Sequence, residues 1–331
     1  MRRSTSPGAA AGGTLERIAA AKAGILQAGR PAVLARQPEA AAAAVLLAHA
    51  AQLGCLLTRA EEEAVPQPGP VEWAPAGGAL GLRQRGALAL RGAAADALGG
   101  AGPLELSLRL LGAHQLDNAA TAAAAAAALR GRGFERVTAA SVVRGLDGAA
   151  LPGRLQVCRL AAEASSNSGG DGIDAAAEQE EEAPLVVLDG AHTEASAAAL
   201  ADTLLAAFPD AAFAVVLAMA GDKPHLEVCA QLRRLSPLVV AFTEVAVGGG
   251  RARAAPPGAL AAAWQRSAGG AGRRAGGGRT RELVQASRGA AVAKARMELR
   301  AAGGRRGVVV VTGSLHAAGA ALRTLDLSPL P

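Results

Sequence analysis

Asp189 and His192 lie in the stretch Leu185-Val186-Val187-Leu188-Asp189-Gly190-Ala191-His192-Thr193. A short apolar run reads as a buried parallel strand, Gly190 lets the backbone turn, and Thr193 can cap the helix that follows, with Leu200, Leu204 and Leu205 on its apolar side. The carboxylate and the imidazole therefore fall at the carboxyl end of a strand, where open α/β sheets place their ligands. Taken alone, the same residues also fit an aspartate that caps the turn and a histidine that is merely exposed. Two further pairs fall at expected strand ends, Asp222-Lys223 and Ser314 with His316. Asp222 and Ser314 could equally cap helices, and His114 and His225 read as structural. Ser314, His192 and Asp189 can be written as a Ser-His-Asp hydrolase, but no G-x-S-x-G elbow is present to expose a nucleophile.

The elements that must carry these residues alternate. In the second half, strands are expected at 154–160, 185–189, 213–218, 238–243 and 308–312, and helices at 194–207, 225–235, 257–267, 289–301 and 316–325. That order implies a mostly parallel sheet covered on both faces. Two polar inserts near 161–183 and 268–281 read as disordered surface loops. The first half reads as a helix over 14–24 capped by Thr14, a strand at 32–34, a helix at 38–53, irregular strands from Cys55 to Gly102, a strand at 104–110, an Ala-rich helix at 115–130 and a short helix at 137–146. The boundary between the two domains is placed near Leu151, giving 1–150 and 151–331.

The chain has 331 residues and 51% hydrophobic content, ample for two packed cores. Aromatic residues make up only 2%, so the cores must be built from Ala, Val and Leu, and base stacking has little to work with. The formal net charge is +6, but the arginines are scattered rather than gathered into a stripe, which speaks against nucleic acid. Cys55, Cys158 and Cys229 have no metal-ligand spacing and suit a reduced compartment. No apolar run reaches membrane-spanning length. The basic, Ser-containing opening leaves cytoplasmic and mitochondrial locations both open.

Several separate stretches, KAGILQAGRP, LLGAHQLDNAATAAAA, LPGRLQV, VVLDGAHT, GDKPHL and VVVVTGSLH, occur in the order and spacing of one family. The chain resembles the folylpolyglutamate synthase and dihydrofolate synthase family, a branch of the Mur-ligase-like amide-forming enzymes. AMAGDKPHL, TEVAVGGG and GSLHAAG lean toward the plant-type dihydrofolate synthases. The resemblance implies an α/β fold: the C-terminal part of a P-loop-type ATPase domain, then a Rossmann-like, mostly parallel domain. It also implies ATP and Mg2+ as cofactors, and dihydropteroate or folate with L-glutamate as small-molecule substrates. No nucleic-acid or membrane partner is implied, and the chain is expected to be a monomer. The activity implied is ATP-dependent amide formation: a carboxylate is phosphorylated, and the glutamate amine displaces phosphate from the acyl phosphate.

What the resemblance implies for individual residues follows the matched motifs. Lys22 matches the lysine that is carbamylated and then ligates magnesium, a role an ammonium cannot fill; Ala21 stands where Glu is usual. Asn118 matches the asparagine near the adenine, Arg154 the arginine on the ATP phosphates, Asp189 the residue near the ribose and His192 the histidine close to the phosphates, so Lys22 and His192 are the expected catalytic residues. Thr193 stands where the family usually has Asn. Asp222, Lys223 and Ser314 also fall in family motifs. None of the lysines Lys22, Lys223 and Lys294 lies in a G-x-x-x-x-G-K-[ST] loop, and Gly248-Gly249-Gly250 and Gly276-Gly277-Gly278 lack the Lys-Ser/Thr of a phosphate cradle. The expectation is a chain that starts partway through the ATPase domain: an incomplete dihydrofolate synthase, with folylpolyglutamate synthase or a non-catalytic fragment of the family as the alternatives.

Overall fold

The computed structural model describes residues 13–76, 79–99, 102–160, 184–246, 250–269, 280–304 and 306–330, which form two compact units. The insert expected at 161–183 and most of that expected at 268–281 lie outside the described residues, as do Gly276-Gly277-Gly278.

The first unit comprises Met1–Pro70, Arg85–Leu108 and Ala113–Ala149. Thr14 caps α1 (Leu15–Ala23), its hydroxyl accepting from the Arg17 amide. Then come β1 (Pro31–Leu34), α2 (Ala40–Gln52) and β2 (Leu56–Arg59), which pairs parallel with β1 from Pro31↔Leu56 to Leu34↔Arg59. Beyond the single turn α3 (Ala60–Glu63) the chain forms two long strands, β3 (Ala64–Ala76) and β4 (Ala79–Leu90). After α4 (Gly92–Leu98) comes β5 (Leu104–Leu108), and the three strands order as β3-β4-β5.

The expectation of irregular strands over 55–102 is corrected here. Pro66, Pro68 and Pro70 look like breakers, yet they recur at every second residue, so the missing N–H groups all fall along one side of β3. Because β3 is an end strand of its sheet, that side need not donate to a ladder. The helices α5 (Ala113–Arg130) and α6 (Ala139–Gly148) complete the unit. Leu116, Ala119, Ala120, Ala123 and Ala127 recur on one face of α5 and pack with Leu88, Leu104, Leu106 and Leu108 of the sheet. Small side chains let this helix lie close to the strands in a core with almost no aromatic volume.

The second unit comprises Val71–Gln84, Arg109–Gly112 and Ala150–Pro331. Its elements are β6 (Gln156–Leu160), β7 (Leu185–Leu188), α7 (Glu194–Ala207), β8 (Ala212–Leu217), α8 (His225–Leu232), β9 (Val239–Phe242), α9 (Pro257–Arg266), β10 (Arg281–Val284), α10 (Arg288–Ala302), β11 (Gly307–Thr312), α11 (Leu315–Thr324) and β12 (Leu327–Pro329). The sheet order is β10-β9-β8-β11-β7-β6-β12, with the five strands from β10 to β7 mutually parallel and β6 and β12 joined antiparallel at one edge. Strand alternation divides the core. Val187, Val215, Leu217, Val240, Phe242, Val308 and Val310 face α7, α8 and α9, whereas Val186, Leu188, Val216, Ala241, Val309 and Val311 face α10 and α11. Both faces are buried, which is why these strands read as unbroken apolar runs.

Two strands were not expected from sequence. β10 reads Arg-Glu-Leu-Val, lies at the sheet edge and is largely exposed, so it carries no apolar signature; it begins at Arg281, the last residue of the expected 268–281 insert. β12 is three residues long and ends in Pro329. The expected helix at 225–235 is α8 followed by a single 3-10 turn, Arg233–Leu235.

Candidate functional site

The sheet of the second unit has a topological switch at β11. The chain leaves β7 for α7 and β8 for α8 on one face, but leaves β11, which lies between them, for α11 on the other. Diverging helices open a crevice at the carboxyl ends of these strands, the usual ligand position in such sheets. The loops there carry most of the residues singled out from sequence.

The loop after β7 is fastened from below. The Asp189 amide donates to the Val311 carbonyl at 3.0 Å, extending the β7–β11 ladder by one rung. The Asp189 side chain is buried at 9% exposure; Oδ2 accepts from the Leu155 amide and Oδ1 from the Ala191 amide, both at 2.8 Å. A further bond runs from the Gly190 amide to the Gly153 carbonyl, 3.0 Å. The Pro-Gly-Arg-Leu stretch is thus latched onto the Asp-Gly-Ala stretch, and one carboxylate satisfies two backbone donors at once. Leu155 has φ +44, an uncommon conformation for a residue with a Cβ, held here by its amide bond to Asp189.

Gly190 marks the close approach of the β11 loop. A Cβ placed on it would sit 2.5 Å from Leu315 Cδ2. Gly313 is tighter still: φ is +100 and a Cβ would meet the Ala218 carbonyl oxygen at 2.5 Å. Only glycine fits there, because the obstacle is backbone.

His192 is half-buried at the start of α7. The Gly190 carbonyl can only accept, so the 2.8 Å contact to Nδ1 assigns the proton to Nδ1. In the neutral ring Nε2 then holds the lone pair, and among the described residues it has no partner. Behind it Thr193 and Ser196 form a capping box, Ser196 Oγ taking the amides of both His192 and Thr193. Arg154 is half-buried on the latched stretch, and its guanidinium has no acidic partner among the described residues.

Ser314 is buried, and its hydroxyl accepts from the His316 amide at 3.0 Å, capping α11. The capping alternative holds for Ser314. It does not hold for Asp222, since Pro224 occupies the cap position of α8. Asp222 instead takes Arg253 Nη2 at 3.2 Å and Lys223 Nζ at 3.7 Å. Slight burial acts to raise its carboxyl, but Lys223, a hydrogen bond from its own backbone and Arg253 together hold it below the usual carboxylate range. His225 Nε2 bonds the Ala220 carbonyl at 2.8 Å, consistent with a structural role. Arg253 was missed from sequence: it sits in a Gly- and Arg-rich stretch with no periodic signal.

Arg154, Asp189 and His192 therefore share one latched loop system, with Ser314 on the loop beside it and Asp222–Lys223 on the loop after β8. Lys22 and Asn118 belong to the first unit. Lys22 is exposed in the last turn of α1. Asn118 is exposed on α5, its amide donating to Gln115 Oε1 at 3.0 Å. For magnesium, Lys22 would supply one oxygen ligand after carbamylation. Among the described residues no group of three His, Cys, Asp or Glu could hold the ion by itself, so a magnesium ion here would keep water or phosphate oxygens among its ligands.

Residues 177–315 match the family model described as Mur ligase, glutamate ligase domain. Over 132 residues the chain is 28% identical to the dihydrofolate synthase/folylpolyglutamate synthase of Bacillus subtilis (strain 168), covering 40% of this chain and 26% of that protein. A Mycobacterium tuberculosis folylpolyglutamate synthase solved with ADP and AMPPCP shares the fold with a TM-score of 0.65 at 24% identity, over 95% of this chain and 60% of that one. E. coli FolC in complex with DHPP and ADP gives a TM-score of 0.60 at 21% identity, over 97% of this chain and 59% of that one. The chain thus spans about 60% of the solved structures it resembles. The finer lean toward plant-type members is not carried by these matches. No helix among the described residues is long and apolar enough to cross a membrane.

Proposed function

We propose that this chain, which is similar to a dihydrofolate synthase/folylpolyglutamate synthase and whose residues 177–315 match the Mur ligase, glutamate ligase domain model, serves an ATP-dependent amide ligase of folate biosynthesis. The reaction assigned to it joins L-glutamate to dihydropteroate. A carboxylate oxygen attacks the terminal phosphorus of ATP and ADP departs, leaving an acyl phosphate. The glutamate amine then attacks the carbonyl carbon, loses a proton, and phosphate leaves. A free carboxylate is a poor electrophile; converting its oxygen into phosphate supplies the leaving group.

In this reading Arg154 donates its planar fork to the phosphate oxygens. His192 directs Nε2 to the same phosphates, its ring fixed by the Gly190 carbonyl. Asp189 holds the loop through the Leu155 and Ala191 amides and lies near the ribose. Asn118 reads the adenine, an amide having both donor and acceptor. Lys22 is the residue to be carbamylated. The observation that carries the proposal is the Asp189 latch, which fixes Arg154 and His192 on one crevice at the switch point of a domain matched to glutamate ligases.

A second reading, a non-catalytic module of the same family, is favoured by one feature: β1 and β2 form a two-stranded parallel sheet with Leu56 66% exposed. Phosphate release and dihydrofolate formation with ATP, L-glutamate and dihydropteroate separate the two, tetrahydrofolate replacing dihydropteroate to test tail extension. The expected result for these 331 residues alone is no turnover; ATP-dependent product would overturn that expectation and the module reading together.

A further inference from the structure

Two helices of the chain open on the same motif. Before α6, Thr138 Oγ1 accepts from the Ser141 amide at 3.2 Å while Ser141 Oγ accepts from the Thr138 amide at 2.8 Å. Before α7, Thr193 and Ser196 make the same exchange at 3.2 and 3.0 Å. Each pair supplies the first turn, whose amides have no partner within the helix. The two differ one residue upstream. The Val137 amide goes to the Phe134 carbonyl at 2.9 Å, whereas the His192 amide goes to Ser196 Oγ at 3.1 Å. Capping alone does not call for that additional bond.

The Ser196 hydroxyl is thereby fully used. Its two lone pairs take the amides of His192 and Thr193, and its one proton is left for the Thr193 carbonyl at 3.0 Å or Thr193 Oγ1 at 2.8 Å. His192 is held at two points as a result. Its ring is tied through Nδ1 to the Gly190 carbonyl at 2.8 Å, and the backbone from which the ring hangs is tied to Ser196. An imidazole keeps one orientation only while both its ring and its Cα are fixed, and half-buried His192 has room for other rotamers once either hold is lost. We infer that Ser196 is a positioning residue for His192: its hydroxyl fixes the backbone beneath the imidazole, so that Nδ1 keeps the proton against Gly190 and Nε2 keeps the lone pair. The use made of that lone pair rests on the ligase reading; the holding of the ring does not.

The test compares the full wild-type chain with Ser196→Ala, Ser196→Thr and Ser141→Ala by NMR of the histidine rings after isotopic labelling of histidine nitrogen, the His192 signals being identified by their loss in His192→Gln. The neutral wild-type ring is expected to carry its proton on Nδ1. Ser196→Ala should give a mixture of both tautomers, whereas Ser196→Thr, which keeps a hydroxyl at that place, and Ser141→Ala should keep the wild-type pattern. Both alanine variants should lower the urea midpoint, since each loses a cap of the same kind, so a change at His192 confined to Ser196→Ala does not come from lost stability. A wild-type His192 tautomer in Ser196→Ala, or the same change in Ser141→Ala, overturns the inference. Calorimetric titration with ADP reads the consequence: affinity weakened about threefold to tenfold in Ser196→Ala and near wild type in Ser196→Thr. ADP bound equally well by wild type and Ser196→Ala also overturns the inference. A tautomer change in Ser196→Ala with no ADP binding by the wild type keeps Ser196 as the holder of His192 and defeats the ligase reading instead.

Discussion

Asp189→Asn is the substitution that bears most on how the crevice is built. The native carboxylate is 9% exposed and accepts two backbone amides at 2.8 Å, one from Leu155 and one from Ala191. Asparagine keeps a single acceptor oxygen and must turn its NH2 toward the other amide, so one bond is lost and one buried donor is left facing another. A hydrogen bond to a charged group contributes about 1.5–3 kcal/mol and a stranded buried donor costs about 1–3 kcal/mol; the stranded amide is the one whose bond is lost, so the two overlap and a loss of roughly 2–4 kcal/mol is expected. For a unit of this size that is a Tm fall of roughly 4–16 °C. The assay is urea unfolding combined with amide hydrogen exchange. Exchange should accelerate first at Leu155 and Ala191, before the strand amides of β7 and β11, because Leu155 at φ +44 is held by this bond. Wild-type exchange at those two amides, or a stability loss under about 0.5 kcal/mol, would show that the Asp189 latch does not hold the loop.

The remaining predictions concern neighbouring loops. Gly313→Ala adds a Cβ 2.5 Å from the Ala218 carbonyl oxygen at φ +100, and should destabilise by about 3 kcal/mol or more in chemical unfolding, whereas Gly258→Ala, with open space around it, should be near neutral. Asp222 has a carboxyl lowered in the folded state by Lys223 and Arg253 against slight burial, so its contribution is present above the unfolded carboxylate pKa and is lost as pH falls through the folded value. Wild type and Asp222→Asn should therefore differ in urea midpoint at neutral pH and converge in acid; a difference that grows in acid would contradict the sign.

Much of the fold was legible because burial on both faces writes itself into the second-half strands as apolar runs, and because Thr14, Thr193 and Ser314 announce the helices they cap. Where the signal was weak, the cause was local. β10 and the proline-bearing β3 are end strands of their sheets, where exposure and missing amides erase the pattern that sequence reading relies on. At the site, Asp189 and His192 could be found from a strand followed by glycine and a cap. The bonds from Asp189 to Leu155 and from Gly190 to Gly153 could not, since 34 residues separate Leu155 from Asp189 and nothing in either segment encodes the pairing. Arg253 escaped for a related reason: arginines are scattered through the sequence, and only the fold brings this one to Asp222.

The central claim, that the Arg154–His192 loop system receives nucleotide phosphate, is tested most directly by calorimetric titration of the full chain with ADP. Saturable binding is predicted, weakened about tenfold to a hundredfold by Arg154→Gln and also reduced by His192→Ala. Absence of ADP binding, or equal affinity in wild type and Arg154→Gln, would contradict it.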